Sequence, residues 1–293
     1  MIRDDIKKVD LHMHTTVSDG TDTPCEIIDK VKNAGIDLFA VTDHDSISGN
    51  RKIINNLNES SPMFLTGVEF SCQDSNGKYH ILGYGCDIES KGVNEVVKIG
   101  HDFRMKKTYD RLDFLKSEYG FEFPDEDVKE LLKNKNPGKP HIGKMMVKLG
   151  YAKTKDEAIN NYINNCVSNK KQYITPHMAI RGILESGGVP ILAHPSYGSG
   201  NQLILGADME IRLKYLIDMG LKGIELYYSG FTNKIIKELM DMSKRLDLLA
   251  TAGSDYHGKN KLVPLGDNNL DDINDGVEGI KKFIELIDDK IIR

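Results

Sequence analysis

The chain has 293 residues, 39% of them hydrophobic and 28% charged, which suits a soluble globular protein the size of one α/β barrel or two smaller domains. A net charge of -5 gives no electrostatic case for duplex DNA, and no apolar run approaches the ~20 residues that cross a bilayer. Met1 to Lys8 form no apolar signal region, and four scattered cysteines (Cys25, Cys72, Cys86, Cys166) form no C-x-x-C pair, so a cytoplasmic protein with reduced, mostly buried thiols is expected.

The first predicted strand, 8–12, runs into Asp10-Leu-His-Met-His. His12 and His14 are two residues apart, so a strand turns both imidazoles to one face. Asp19 follows, with Gly20 behind it to allow a tight turn. Two imidazoles and a carboxylate this close read as the start of a metal site; the plainer reading is a strand with two partly exposed histidines. Thr23 and Pro24 make a good start for a helix over 24–34, which Gly35 ends. A strand at 37–42 leads into Asp43-His44-Asp45 and a helix at 46–57. One of the two aspartates is read as orienting an imidazole, with a cap of that helix as the alternative, and for Asp45 the cap is the favoured reading.

Strands at 63–70 and 79–84 are separated by Asp74-Ser-Asn-Gly77, where Asn-Gly signals a hairpin. A hairpin would return His80 to the rim that carries Glu69; a parallel crossover would need a dozen or more residues. Residues 99–173 then break the rhythm, as several helices punctuated by Pro124, Pro137 and Pro140. They carry 15 Lys and Arg against 11 Asp and Glu, a net of +4, which leaves 24 against 33 and a net of -9 elsewhere. A basic insertion in an acidic body suggests a cap facing an anion, with a solvated helical decoration as the alternative. Helices at 176–187, 208–219, 232–245 and 277–288 alternate with strands at 189–194, 222–227 and 248–253. The alternation implies a mainly parallel sheet closed as a barrel. Seven strands are one short of the common eight, so a distorted closure is expected.

Ligand-type residues recur at the predicted strand ends: His12, His14 and Asp19; His44; Glu69; His80; His194; Glu225; and Asp255 with His257. In a parallel barrel these ends gather at one face. Six of the chain's nine histidines belong to this set, and packing alone is a poor reason to bury so many polar groups. Glu225 is left between a supporting role behind the ligands and a lysine-paired carboxylate at the edge of the core.

These motifs resemble the PHP family, named for polymerase and histidinol phosphatase. The resemblance rests on Asp10-Leu-His-Met-His, Ser18-Asp-Gly20, Thr42-Asp-His-Asp45, Gly67-Val-Glu-Phe-Ser71, Ala193-His-Pro195 and Gly253-Ser-Asp-Tyr-His257. It implies a distorted (β/α)7, TIM-like barrel on 1–98 and 174–293, with residues 99–173 as a helical cap. It also implies two to three divalent metal ions, Mn, Fe or Zn. His12, His14, Glu69 and Asp255 would hold one ion. Glu69 would bridge to a second on His80 and His194, and Asp19, His44 and His257 would hold a third. Glu69, His194 and Asp255 are the expected catalytic residues, through a bridging hydroxide made by acidifying water.

The insertion is similar to that of a subgroup acting on 3′,5′-nucleotide bisphosphates or short RNA, through Lys139-Pro-His-Ile-Gly143 and Gly187-Gly-Val-Pro-Ile-Leu-Ala-His-Pro195. Lys139 stands where that subgroup has Arg, a point charge in place of a bidentate fork. Arg104, Lys107, Lys139 and His141 are the expected substrate contacts; Arg104 and Lys107 share a helix face at i, i+3. The resulting expectation is a metal-dependent phosphoesterase acting on small nucleotides. Histidinol phosphate and short single-stranded RNA are the alternative substrates, and a non-catalytic module is disfavoured by the full ligand set. No membrane and no obligate protein partner are implied.

Overall fold

The computed structural model describes residues 5–133, 137–166, 173–196 and 204–293. Parts of the insertion, 134–136 and 167–172, lie outside them. In chain order the elements begin β1 (Val9–Asp10), α1 (Pro24–Asn33), β2 (Leu38–Val41), α2 (Ser48–Ile54), β3 (Met63–Asp74), β4 (Gly77–Tyr84) and α3 (Lys91–Tyr119). There follow α4 (Asp125–Lys133), α5 (Lys139–Lys148), the single turn α6 (Lys155–Glu157), α7 (Pro176–Glu185) and β5 (Val189–Leu192). The chain closes with α8 (Gly206–Asp218), β6 (Gly223–Tyr228), α9 (Asn233–Arg245), β7 (Leu249–Gly253) and α10 (Glu278–Ile287).

The seven strands form one sheet in sequence order. β1, β2 and β3 run parallel, β4 is antiparallel to both its neighbours, and β5, β6 and β7 run parallel again. The sheet is nearly closed as a barrel. The Leu11 amide donates to Ala252 O at 2.9 Å, that of Asp255 to His12 O at 2.8 Å, and that of His14 to Tyr256 O at 2.8 Å. This closure is short because β1 has only two residues. Tyr84, wholly buried, donates its hydroxyl to Leu11 O beside it.

Local chemistry explains the helix starts. Thr23 and Glu26 form a capping box on α1 with Pro24 in its first turn, and Thr175 and Thr232 cap α7 and α9 by accepting from backbone amides. The β3–β4 hairpin is as expected but longer. Its two loop residues are Ser75 and Asn76, and the ladder continues through Cys72↔Tyr79 to Asp74↔Gly77. Asp74 Oδ1 accepts from the Asn76 and Gly77 amides and shapes the turn.

α3 runs without a break through residue 99. Its first turns bury Val93 and Val96 in the barrel core. Its last turns place Leu112 and Leu115 in a separate apolar cluster with Leu131, Ile142 and Met146 of the insertion. Cys72 and Cys86 are buried, but Cys25 is exposed on α1 and Cys166 is partly so, which corrects the expectation of mostly buried thiols. Among the described residues no helix is long and apolar enough to cross a membrane.

Candidate functional site

The parallel strands bring their C-terminal ends to one rim, and the hairpin returns His80 to it. His12 and His14 leave β1 in alternation with Met13, whose side chain faces the opposite way into the core between the barrel and α1. Their Nε2 atoms come within 3.2 Å of each other. Both also reach Glu69 Oε2, at 3.3 and 3.1 Å, and Asp255 Oδ1, at 3.4 and 3.3 Å. On the other side of Glu69, Oε1 meets His80 Nδ1 at 2.7 Å and His194 Nε2 at 3.2 Å. His44 Nδ1 approaches Oε2 at 3.1 Å, so five imidazoles surround one buried carboxylate. Beside this group Asp19 Oδ1 lies 3.3 Å from His257 Nε2, with His44 Nε2 4.0 Å from Oδ2 and His14 Nδ1 3.8 Å from Oδ1. All nine expected ligand positions are thus gathered. Their atoms fall into groups fit for a metal ion: His12, His14 and Asp255; Glu69 with His12 and His194, or with His44 and His80; and Asp19 with His14, His44 and His257.

The donor set fits a hard or borderline divalent ion. Ligands about 2.1 Å from a shared ion lie roughly 3.0–3.4 Å apart, the spacing seen between His12, His14, Glu69 and Asp255. Glu69 Oε2 and Asp19 Oδ1 are buried, and neither accepts an aligned hydrogen bond among the described residues, so both have a lone pair to offer a cation. Burial opposes charge on each carboxyl, yet the neighbouring imidazoles hold Glu69, Asp19 and Asp255 well below the usual carboxylate range. Burial likewise disfavours charge on His14, but Asp255 and Glu69 pull it up to about 10, whereas burial drives His44 down to about 3. The three carboxylates demand positive charge here, and protons and metal ions compete to supply it.

A second layer holds the ligands. Glu225 Oε1 meets His12 Nδ1 at 2.9 Å and Oε2 accepts the His194 amide at 2.8 Å, which answers the open question about Glu225 in favour of support. Gly253 of β7 permits this approach, because a Cβ there would lie 2.2 Å from His12 Cβ and 2.5 Å from Glu225 Oε1. Asp43 accepts from the Thr15 amide and from the Thr15 and Ser18 hydroxyls, fixing the turn that carries Asp19. Asp45, His194 and Asp255 all adopt positive φ, at 49°, 27° and 56°, a strained backbone concentrated at the rim.

Asp45 corrects one expectation. α2 begins at Ser48, and its cap position is Ile47, with no side-chain bond. The left-handed backbone of Asp45 turns its carboxylate toward β3 and α3, where Oδ2 accepts from Arg104 Nε at 2.6 Å and Oδ1 from the Ser71 amide at 2.9 Å. Arg104 also donates to Ser71 Oγ. Lys107 follows on the same face of α3, nearly buried, with Nζ 3.7 Å from the Tyr173 ring centre. Lys139 donates to Asn164 Oδ1, and His141 Nδ1 accepts the Gly138 amide at the start of α5. None of these four lines the cleft of about 330 Å³ that opens over the ligand cluster. Sequence patterns missed Tyr228 and Lys261, which donate to Asp255 Oδ2 at 3.0 and 2.7 Å and leave Oδ1 to the cluster. Neither belongs to a spacing motif; a polar aromatic at the end of β6 was the one available signal.

Lys107 gives a pH test. Burial, then Arg104 beside it, pushes its ammonium down to about 7; Arg111 and Lys78 add to this, while Asp45 opposes it. Above that pH the unfolded chain holds a proton that the folded one lacks, so this group makes stability rise with pH from about 7 to its ordinary 10.5. Urea unfolding of Lys107→Met at pH 7 and pH 9 is expected to show a smaller rise than the wild type. An unchanged rise would mean that Lys107 stays protonated when folded.

The PHP domain family matches residues 10–287. A phosphoribosyl 1,2-cyclic phosphate 1,2-diphosphodiesterase from Eggerthella lenta is 27% identical over 87% of this chain and 96% of its own. A 5′-3′ exoribonuclease from Haemophilus influenzae is 26% identical, over 94% and 99%. A 3′,5′-nucleoside bisphosphate phosphatase from Chromobacterium violaceum is 25% identical, over 85% and 87%. Among solved structures, a protein from Bifidobacterium adolescentis assigned as a metal-dependent phosphoesterase superposes with a TM-score of 0.79 at 26% identity, covering 98% of each chain. With the family matching almost the whole length, and with residues able to ligate a metal ion gathered at one barrel rim, the chain belongs to the PHP family and is a metal-dependent phosphoester hydrolase.

Proposed function

We propose that this chain hydrolyses phosphate esters of small nucleotides, with 3′,5′-nucleotide bisphosphates as the preferred substrates. The observation that carries the hydrolytic reading is Glu69, a buried carboxylate shared by five imidazoles at the floor of an open cleft. In this reading His12, His14, Asp255 and Glu69 hold one ion, Glu69, His80 and His194 a second, and Asp19, His44 and His257 a third. Such ions, of Mn, Fe or Zn, supply acidified water and a clamp on phosphate oxygens. The chain's own groups set the geometry. Glu225 fixes the His12 ring and the His194 backbone, Tyr228 and Lys261 hold one oxygen of Asp255, and Asp43 fixes the turn before Asp19.

Three features support the nucleotide reading. The insertion is positive in an acidic protein. It carries Arg104, Lys107, Lys139 and His141, which would meet the substrate from that side as the cap, 99–173. A relative of similar length is named a bisphosphate phosphatase. A second reading, 5′-3′ cleavage of short RNA, is favoured by the row Arg104, Lys107 and Arg111 on one face of α3 and by the name of another relative. The test is phosphate release from metal-reconstituted protein, on adenosine 3′,5′-bisphosphate, a ribose cyclic phosphodiester, histidinol phosphate and 5′-phosphorylated oligoribonucleotides. The expected preference is for the bisphosphate. Faster turnover of histidinol phosphate than of any nucleotide would overturn the proposal.

A further inference from the structure

We propose that Arg212 of α8 and Lys78 of β4 form the seat for the substrate's non-reacting phosphate, beside the tip of the β3–β4 hairpin. This rests on the reading of the site as a nucleotide phosphoesterase. The two residues line the cleft together with the ligand cluster. β4 alternation puts Lys78 on the face of His80, about 7 Å further from the barrel rim.

Arg212 is built into position without being neutralised. Its guanidinium lies 4.8 Å from the Tyr79 ring centre and donates to Asn76 O at 3.4 Å. It lies against Gly77, where a Cβ would come within 2.8 Å of Nη2, so the missing side chain is what admits the guanidinium to the hairpin turn. The nearest acid, Asp74, is engaged elsewhere. Oδ1 takes the Asn76 and Gly77 amides and the Tyr79 hydroxyl, and Oδ2 the Tyr215 hydroxyl. Among the described residues neither Arg212 nor Lys78 makes an ion pair within 4 Å, whereas Arg104 is paired with Asp45. A planar fork held by a ring face and a carbonyl, with its charge unspent, is a receptor for a tetrahedral oxyanion. Leu192 and Pro195 give the cleft an apolar surface against which a sugar can lie.

The same chemistry has two sources, the second phosphate of a bisphosphate or the next diester of an oligonucleotide. The test compares Arg212→Gln, Arg212→Lys and Lys78→Gln with wild type. Its substrates are adenosine 3′,5′-bisphosphate, a 5′-phosphorylated diadenylate and p-nitrophenyl phosphate. Arg212→Gln is expected to lower kcat/KM for the bisphosphate about ten- to a hundredfold, mainly through KM, and to leave the aryl phosphate within about threefold. Arg212→Lys should recover part of the loss. Lys78 is exposed, so Lys78→Gln tests the seat with little disturbance of the core. A parallel loss on the diadenylate assigns the seat to chain phosphates as well. Equal losses on nucleotide and aryl substrates, or none, would overturn the proposal. Calorimetric titration of adenosine 3′,5′-bisphosphate separates the two readings. If no nucleotide is hydrolysed, yet Arg212→Gln still binds the bisphosphate at least tenfold more weakly, the seat stands and the catalytic proposal falls.

Discussion

Glu69→Gln, reconstituted with metal, is expected to hydrolyse phosphate esters more than about 100-fold more slowly than wild type, with little change in the fold. The substitution keeps the size and removes the charge. In the native protein that charge faces His12, His14 and His44 from one oxygen and His80 and His194 from the other. A glutamine can offer one oxygen to a cation, but its amide nitrogen then points at imidazoles that also need to turn lone pairs inward. Both halves of the cluster are therefore disturbed at once. The measurement is a single-turnover rate with bound metal determined on the same sample. A wild-type rate constant at full occupancy would show that Glu69 joins nothing.

His12→Ala and His194→Ala are expected to abolish hydrolysis and to lower bound metal, as measured by elemental analysis of the purified protein. His12 is wholly buried and contacts Glu69, Asp255 and Glu225, so its removal leaves three carboxylates with one imidazole fewer to balance them. His194 is less buried than His12, and its ring meets Glu69 Oε1 at 3.2 Å. The expected metal loss is accordingly larger for His12→Ala. Circular dichroism should stay close to wild type for His194→Ala. Full occupancy with full activity in either variant would remove that residue from the ligand set.

Much of this architecture was legible because it is encoded locally. Each of the seven strands coincides with an apolar run bounded by turn residues, and the hairpin was announced by Asn76-Gly77. The gathering of His12, His44, Glu69, His194 and Asp255 followed from one rule, that parallel strands end at a common rim. What was not legible depends on contacts between distant segments. β3 extends to Asp74 through polar residues because β4 pairs with it, and nothing within 71–74 says so. Asp45 looks like a cap residue in sequence; its left-handed backbone and Arg104, 59 residues away, make it an ion-pair partner. α3 passes from barrel to insertion with no residue that marks the passage. Arg212 is one more charged residue on an amphipathic helix until the bare turn at Gly77 is seen against it.

The short closure between β1 and β7 ties catalysis to folding. The amide of Asp255 bonds to the carbonyl of His12, and that of His14 to Tyr256 O, so the first and last strands are stitched through the residues that would grip a cation. A cation held between their side chains would act as a clasp across the thinnest part of the wall. Any ligand bound only by the closed form adds RT ln(1 + [L]/Kd) to the stability of the whole chain. Metal supply would then govern how long the protein survives as well as how fast it works, and a starved cell would lose the enzyme along with its activity.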